Sequence, residues 1–84
     1  MAVTLSYFAD AREALGRGEE RLELPPGVAT VGTLRQYLCA RGEPWTMLAR
    51  SGTRFAINGA VAPGLASPIR DGDEIAVFPA ITGG

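Results

Sequence analysis

The last two residues of the chain, Gly83 and Gly84, have the clearest chemical potential. Glycine has no Cβ, so a narrow tunnel in another protein can admit this end and bring its carboxylate to a reactive phosphate. At roughly 3.4 Å per extended residue, five residues reach about 17 Å beyond a folded domain. The alternative is a frayed terminus without function. We predict that Gly84 is the working group of a flexible, uncharged tail over 80–84, in which Ala80, Ile81 and Thr82 enter the tunnel.

Other candidate groups predict no catalytic centre. Cys39 is the only cysteine and lies inside a predicted helix, and the chain contains no His to act as its base. Asp71, Asp73 and Glu74 are better interpreted as a solvated turn than as a metal site, because no neighbouring ligands complete a coordination shell. A chain of 84 residues also has little room for a deep active-site cavity. We expect a protein that is not catalytic alone and binds no metal or cofactor.

Composition excludes several other classes. Eight Arg against nine acidic residues give a net charge of −1, without a basic cluster for nucleic acid. No basic leader or long apolar run indicates export or a membrane span. A single cysteine cannot form an internal disulfide, which favours a reducing compartment. The expectation is a soluble cytoplasmic protein.

Hydrophobic periodicity predicts one domain over 1–79. Alternating apolar residues predict strands over 3–8, 20–24, 54–58 and 73–79, with Val61 following a tight turn at Asn58 and Gly59. Helical patterns cover 9–15, 31–41 and, as a short turn, 44–50. This order favours an α+β fold in which one main helix covers one face of the sheet. The predicted core comprises Val3, Leu5, Tyr7, Leu22, Leu24, Val31, Leu34, Leu38, Phe55, Ile57, Ile75 and Val77.

Two aromatic residues have the opposite parity to this core. Phe8 shares its face with Thr4 and Ser6, and Phe78 shares its face with Ala76. If the first and last strands are neighbours, the two rings meet on the outer face and Val61 joins them at the edge. Such an apolar patch is a natural docking surface, although single exposed apolar residues are also ordinary.

Nearly the whole chain resembles the small subunit of molybdopterin synthase, a ubiquitin-like β-grasp sulfur carrier. The most specific block is Asp71-Gly72-Asp73-Glu74, a strand, Phe78-Pro79 and the Gly-Gly end. The remaining matches are Tyr7-Phe8-Ala9, Arg12-Glu13, Gly16, Leu24-Pro25, Thr30-Val31, Leu34-Arg35, Trp45 and Ala56-Ile57-Asn58. The resemblance implies a mixed sheet of four to five strands on one main helix. Ala80, where a second Pro is frequent, and Gly32 in the first helical turn depart from the pattern.

The resemblance also implies a use for the tail. An activating enzyme related to ubiquitin E1 proteins adenylates Gly84 with ATP-Mg, and a sulfur donor protein converts the adenylate to a thiocarboxylate. The large synthase subunit then uses this sulfur to build the dithiolene of molybdopterin from cyclic pyranopterin monophosphate. The resemblance assigns Phe8, Val61 and Phe78, with Arg12, to the surface of this chain on which both partners dock. The implied synthase is a heterotetramer of two small and two large subunits.

Two alternatives stay open. A sulfur carrier for another pathway, such as thiamine synthesis or tRNA thiolation, shares the fold and the Gly-Gly end. A ubiquitin-like modifier would join Gly84 to lysines of target proteins; because this chain contains no Lys, it cannot form chains on its own side chains. A β-grasp iron–sulfur protein is set aside, since a plant-type cluster needs four Cys ligands.

Overall fold

The described part of the chain folds into five strands, two α-helices and one 3₁₀ helix. The structure is a computed structural model that describes residues 1–50 and 52–78. In chain order the elements are β1 (Ala2–Tyr7), α1 (Ala9–Leu15), β2 (Glu19–Glu23), α2 (Val31–Cys39), the 3₁₀ helix (Trp45–Ala49), β3 (Arg54–Ile57), β4 (Ala60–Val61) and β5 (Glu74–Phe78).

All five strands form one mixed sheet in the order β2-β1-β5-β3-β4. The central strand β5 runs parallel to β1 and antiparallel to β3, while both edge strands pair antiparallel with their neighbours. The end of β5 therefore lies at the same edge of the sheet as the end of β1 and the start of β3. This topology confirms the predicted mixed sheet, with β4 as its fifth strand.

Strand β1 shows why the sheet has one buried face. Val3, Leu5 and Tyr7 are at most 1% exposed, whereas the alternate residues Thr4 and Ser6 are partly exposed on the other face. Successive side chains of a strand point to opposite faces, so the alternation of residue types determines which face packs on the helix. The strand covers residues 2–7 instead of the predicted 3–8, because Phe8 already serves as the N-cap of α1.

The main helix α2 begins as predicted and ends early. Thr30 and Thr33 form a capping box, in which the Thr30 hydroxyl accepts from the Thr33 N–H. The prediction extended this helix to residue 41, but it ends at Cys39. The backbone N–H of Arg41 bonds to the carbonyl of Leu38, only three residues earlier, so the chain tightens before Gly42.

Turn chemistry sets the boundary between β3 and β4. Asn58 and Gly59 have φ angles of 50° and 88°, and two consecutive positive φ values are typical of a type I′ hairpin turn. This confirms the predicted turn and ends β3 at Ile57, one residue before the predicted limit. Strands β2 and β5 also begin one residue away from their predicted starts.

The core lies between α2 and the inner face of the sheet. It includes Leu48 of the 3₁₀ helix, and also Ile69, which the predicted core omitted. The Ile69 N–H donates to the Ala29 carbonyl at 2.9 Å, and this bond holds the preceding loop against the start of α2. The fully assembled core is Val3, Leu5, Tyr7, Ala11, Leu24, Val31, Leu34, Leu38, Leu48, Phe55, Ile69, Ile75 and Val77. Leu22 and Ile57 pack at its margin.

Candidate functional site

The predicted working end of the chain lies outside the described residues. Gly83 and Gly84, and the tail residues Ala80, Ile81 and Thr82, therefore keep their roles as predictions. The structure does describe the position from which this segment starts. Phe78 is the last residue of β5 and pairs in register with Arg54, the first residue of β3. The segment starts from the centre of the sheet, between β1 and β3.

Two exposed aromatic rings stand at this starting point. The rings of Phe8 and Phe78 are stacked, with centroids 5.1 Å apart and planes within 10° of parallel. They are 43% and 38% exposed, and the Phe8 N–H donates to the Val77 carbonyl at 3.2 Å. This bond fixes the end of β1 beside the end of β5, which brings the rings together. The sequence expectation that they meet on the outer face is confirmed.

Val61 lies on the same face, across β3. Its register partner is Ala56, which in turn pairs with Ala76 of β5, two residues before Phe78. Residues paired in register project from the same side of a sheet, so Val61 and Phe78 share the outer face. Val61 is 58% exposed, and the small side chains of Ala56, which is only 6% exposed, and Ala76 lie between it and Phe78. We call Phe8, Val61, Phe78, Ala56 and Ala76 the outer patch.

Arg12 is exposed on α1, one helical turn beyond Phe8. A Cβ added at Gly18 would lie 3.2 Å from the Arg12 Cζ and Nε atoms, so the guanidinium packs closely over the backbone of Gly18. The side chain is thus placed at the turn before β2. Its role as a partner contact stays a prediction.

Arg54 is a charged neighbour of the outer patch that the sequence analysis did not single out. It is exposed and pairs in register with Phe78, so it shares the outer face and flanks the start of the C-terminal segment. Arg54 and Ala56 are two residues apart in β3, and this spacing indicates that they share one face of the sheet. The missing information was that β3 and β5 are neighbours.

A second group missed by sequence reasoning lies on the inner face. The Tyr7 hydroxyl donates to Glu20 Oε1 at 2.9 Å, and both terminal guanidinium nitrogens of Arg41 donate to the Glu20 carboxylate at 3.0 Å. Arg17 also pairs with this carboxylate at 3.1 Å. The Trp45 ring contacts Tyr7 edge-on and lies 4.3 Å from the Arg41 guanidinium carbon. We call these five residues the inner cluster.

Contacts within the inner cluster shift the pKa values of Tyr7 and Glu20. Burial raises the pKa of Tyr7 well above its usual range, and the hydrogen bond to Glu20 raises it further. For Glu20, burial raises the pKa, but hydrogen bonds from Arg41 and Tyr7 and the charges of Arg41 and Arg17 outweigh it, leaving the pKa below its ordinary value. Both groups are held in their neutral-pH forms, Tyr7 neutral and Glu20 charged. The cluster therefore links β1 and β2 to the segment that follows α2.

The remaining polar candidates serve turns. Asp71 Oδ1 accepts from the Ala2 N–H at 2.7 Å, and Asp73 accepts from the Arg70 N–H and the Asn58 amide. These carboxylates are engaged in shaping the turn before β5, as the sequence indicated. Cys39 is half-buried, and its thiol lies 3.6 Å from the Trp45 carbonyl. Within residues 1–50 and 52–78, no helix is long and apolar enough to cross a membrane.

A mixed five-stranded sheet with one main helix across it, and a C-terminal segment leaving the central strand, defines a ubiquitin-like β-grasp protein. The chain belongs to the ThiS family, which matches residues 5–84. It is 37% identical over 79 residues to the molybdopterin synthase sulfur carrier subunit of Haemophilus influenzae, covering 93% of this chain and 94% of that protein. The corresponding subunit of Escherichia coli is 32% identical over 82 residues, with 98% and 99% covered. The resemblance found in the sequence is confirmed.

Solved structures share the fold. The putative molybdopterin converting factor subunit 1 from Pyrococcus furiosus superposes with a TM-score of 0.77 at 30% identity, covering 96% of this chain and 99% of that one. The small archaeal modifier protein 1 of H. volcanii superposes with a TM-score of 0.75 at 26% identity, covering 95% and 98%.

Proposed function

We propose that this protein is the sulfur carrier subunit of molybdopterin synthase. The observation that carries the proposal is the outer patch, which places two stacked, exposed aromatic rings at the start of the C-terminal segment. A partner that binds this patch receives the segment beside its own active site. The full-length similarity to sulfur carrier subunits supports the same function.

The working group in this proposal is the Gly84 carboxylate. A carboxylate with a pKa near 3.5 is ionised at neutral pH and lacks a good leaving group, so it resists nucleophilic attack. Attack of its oxygen on the α-phosphorus of ATP, catalysed with Mg²⁺ by an E1-like enzyme, expels pyrophosphate and forms an acyl adenylate. The terminal sulfur of a persulfide on a donor protein then displaces AMP, and a thiol cleaves the sulfur–sulfur bond to leave a thiocarboxylate.

Delivery requires a second partner. The large synthase subunit binds the carrier, in an assembly of two small and two large subunits, and supplies the catalytic side chains. The carrier gives its sulfur to cyclic pyranopterin monophosphate and regains a carboxylate. Both partners use Phe8, Val61 and Phe78, with Arg12 at the margin, so the two complexes are mutually exclusive.

Deleting Gly84 tests the central claim. Intact-mass spectrometry after incubation with the activating enzyme, ATP-Mg and a persulfide donor should show replacement of one oxygen by sulfur in the full chain and no change in the deletion variant. The thermal midpoint should be unchanged, because residue 84 lies beyond the strands that form the fold. Thiocarboxylate formation in the deletion variant would refute the assignment of Gly84.

The pathway is tested by reconstitution. The thiocarboxylated protein, mixed with a large molybdopterin synthase subunit and cyclic pyranopterin monophosphate, should yield molybdopterin. Sulfur loading without molybdopterin formation would instead favour a carrier for thiamine synthesis or tRNA thiolation.

The similarity to an archaeal modifier protein favours one second candidate, the attachment of Gly84 to lysines of other proteins. The same intact-mass experiment, performed with added cell extract, separates the two. Isopeptide adducts without any thiocarboxylate would support the modifier.

A further inference from the structure

A groove of about 240 Å³ opens at the corner of the sheet where β3 begins. Val31 and Phe55 form its buried floor, and Ala62 and Leu65 form one wall. Arg54, the register partner of Phe78, also lines the groove. Leu65 is 48% exposed, a large fraction for a leucine, and it lies in the groove and not on the outer patch. The groove is thus a second apolar surface near the end of β5.

The C-terminal segment begins within reach of this groove. Because Phe78 pairs with Arg54, β5 ends next to a residue that lines the groove, as does the adjacent Thr53. Neighbouring strands are about 4.8 Å apart, so the groove lies only one or two strand spacings away. The six residues 79–84 span at most about 20 Å when extended, which is enough to cross it with a bend.

The groove and the segment have matching chemistry. Ile81 is the one large apolar side chain in 79–84, and the groove offers an apolar floor for one branched side chain. The Arg54 guanidinium can pair with the terminal carboxylate. The hydroxyl of Thr53 is buried and has no hydrogen-bond partner within the described part of the chain. Buried hydroxyls are normally satisfied, so a backbone group of an incoming peptide would complete this one.

We propose that, when no partner holds it, residues 79–84 bind in the groove of their own chain, with Ile81 on the Val31–Phe55 floor and the carboxyl end at Arg54. This inference rests on the proposed function: it says where residues 79–84 of the sulfur carrier lie when neither partner is bound. In that position the terminal group is held beside a cationic side chain between loading and delivery. A partner that takes the segment into its own tunnel removes it from the groove.

Methyl-labelled full-length protein tests the proposal by NMR. Nuclear Overhauser effects are expected between the Ile81 δ-methyl group and the methyl groups of Leu65 and Val31. Leu65→Ser should abolish the effect between Ile81 and Val31, whereas Val61→Ser should keep it, since Val61 is similarly exposed but belongs to the outer patch. Arg54→Gln should weaken both effects, and raising the salt concentration should do the same in the wild-type chain.

Absence of these effects in the wild-type chain would overturn the proposal, and so would effects that disappear on dilution, which would mean that the segment binds a second copy. If Leu65→Ser failed to fold, a chain truncated after Phe78 would replace it. Adding the free peptide Pro-Ala-Ile-Thr-Gly-Gly to that chain should shift the Leu65 and Val31 signals, and unchanged signals would contradict the proposal. Sulfur loading, measured separately by mass, fails only if the proposed function is wrong.

Discussion

Tyr7 and Phe8 are consecutive aromatic residues with opposite environments. Tyr7 is 1% exposed and its ring meets Trp45 edge-on at 5.7 Å, while Phe8 is 43% exposed and its ring stacks on Phe78 at 5.1 Å. Alternation along the strand accounts for the opposite directions. The hydroxyl of Tyr7 and the charges around it are paired within the chain, whereas the rings of the outer patch still expose apolar surface to water. The polar groups of the inner cluster are thus satisfied within the chain, whereas the outer patch leaves apolar surface for the partners that we propose.

The largest expected difference between these two regions is in folding stability. Tyr7→Ala removes a fully buried ring and should lower the free energy of unfolding by about 3–5 kcal/mol. Phe8→Ala removes a ring that is already partly solvated and should cost less than about 1.5 kcal/mol. Urea denaturation followed by tryptophan fluorescence measures both, since Trp45 reports on the inner cluster. Equal losses would mean that the outer rings contribute to the fold as much as the buried ones.

The reverse order is expected for binding. Phe78→Ala should weaken association with the large synthase subunit and with the activating enzyme by about 30-fold, which corresponds to an interface hot spot of about 2 kcal/mol. Isothermal titration calorimetry measures each affinity.

Val28→Ala is a suitable control for this experiment. Val28 packs at the margin of the core, on the loop before α2 and away from the outer patch. It should reduce stability while leaving both affinities unchanged. Unchanged affinity in Phe78→Ala would show that partners bind another surface.

The smallest expected effect concerns pH. The folded-state pKa of Glu20 lies below its ordinary value of 4.5, so the stability from this ionised group is complete above about that pH. It is lost as the pH falls through the folded-state pKa. Glu20→Gln should lower stability at pH 7 by about 1.5 kcal/mol, the lower end of the range for hydrogen bonds to a charged group, because glutamine keeps one oxygen that can accept a hydrogen bond. It should also flatten the decrease in stability on acidification. Denaturant titrations from pH 7 to pH 3 test both points.

Local patterns were sufficient for most of the fold. The alternation in β1, the Thr30 cap of α2 and the Asn58-Gly59 turn each depend on neighbouring residues, and each was predicted correctly apart from one or two residues at the element ends. Hydrophobic periodicity, helix capping and turn residues determine such features over a few neighbouring residues, so a single sequence carries the necessary information.

Features that depend on distant residues were harder to predict. Phe8 and Phe78 were assigned to one face by parity, but their stacking required β1 and β5 to be neighbours, a condition that the sequence analysis only assumed. Tyr7, Glu20 and Arg41 converge from three separate elements, and no spacing along the chain indicates that convergence. Ile69 was missed for a similar reason, since its burial depends on how a loop without periodicity packs on α2.

The position of β5 has a mechanical consequence. The C-terminal segment is attached to a strand that is hydrogen-bonded on both sides, parallel to β1 and antiparallel to β3. A pull on the segment along the strand loads both ladders in shear, so many hydrogen bonds resist it together and do not open one by one. A partner that binds the C-terminal segment can therefore pull on it without unfolding the domain.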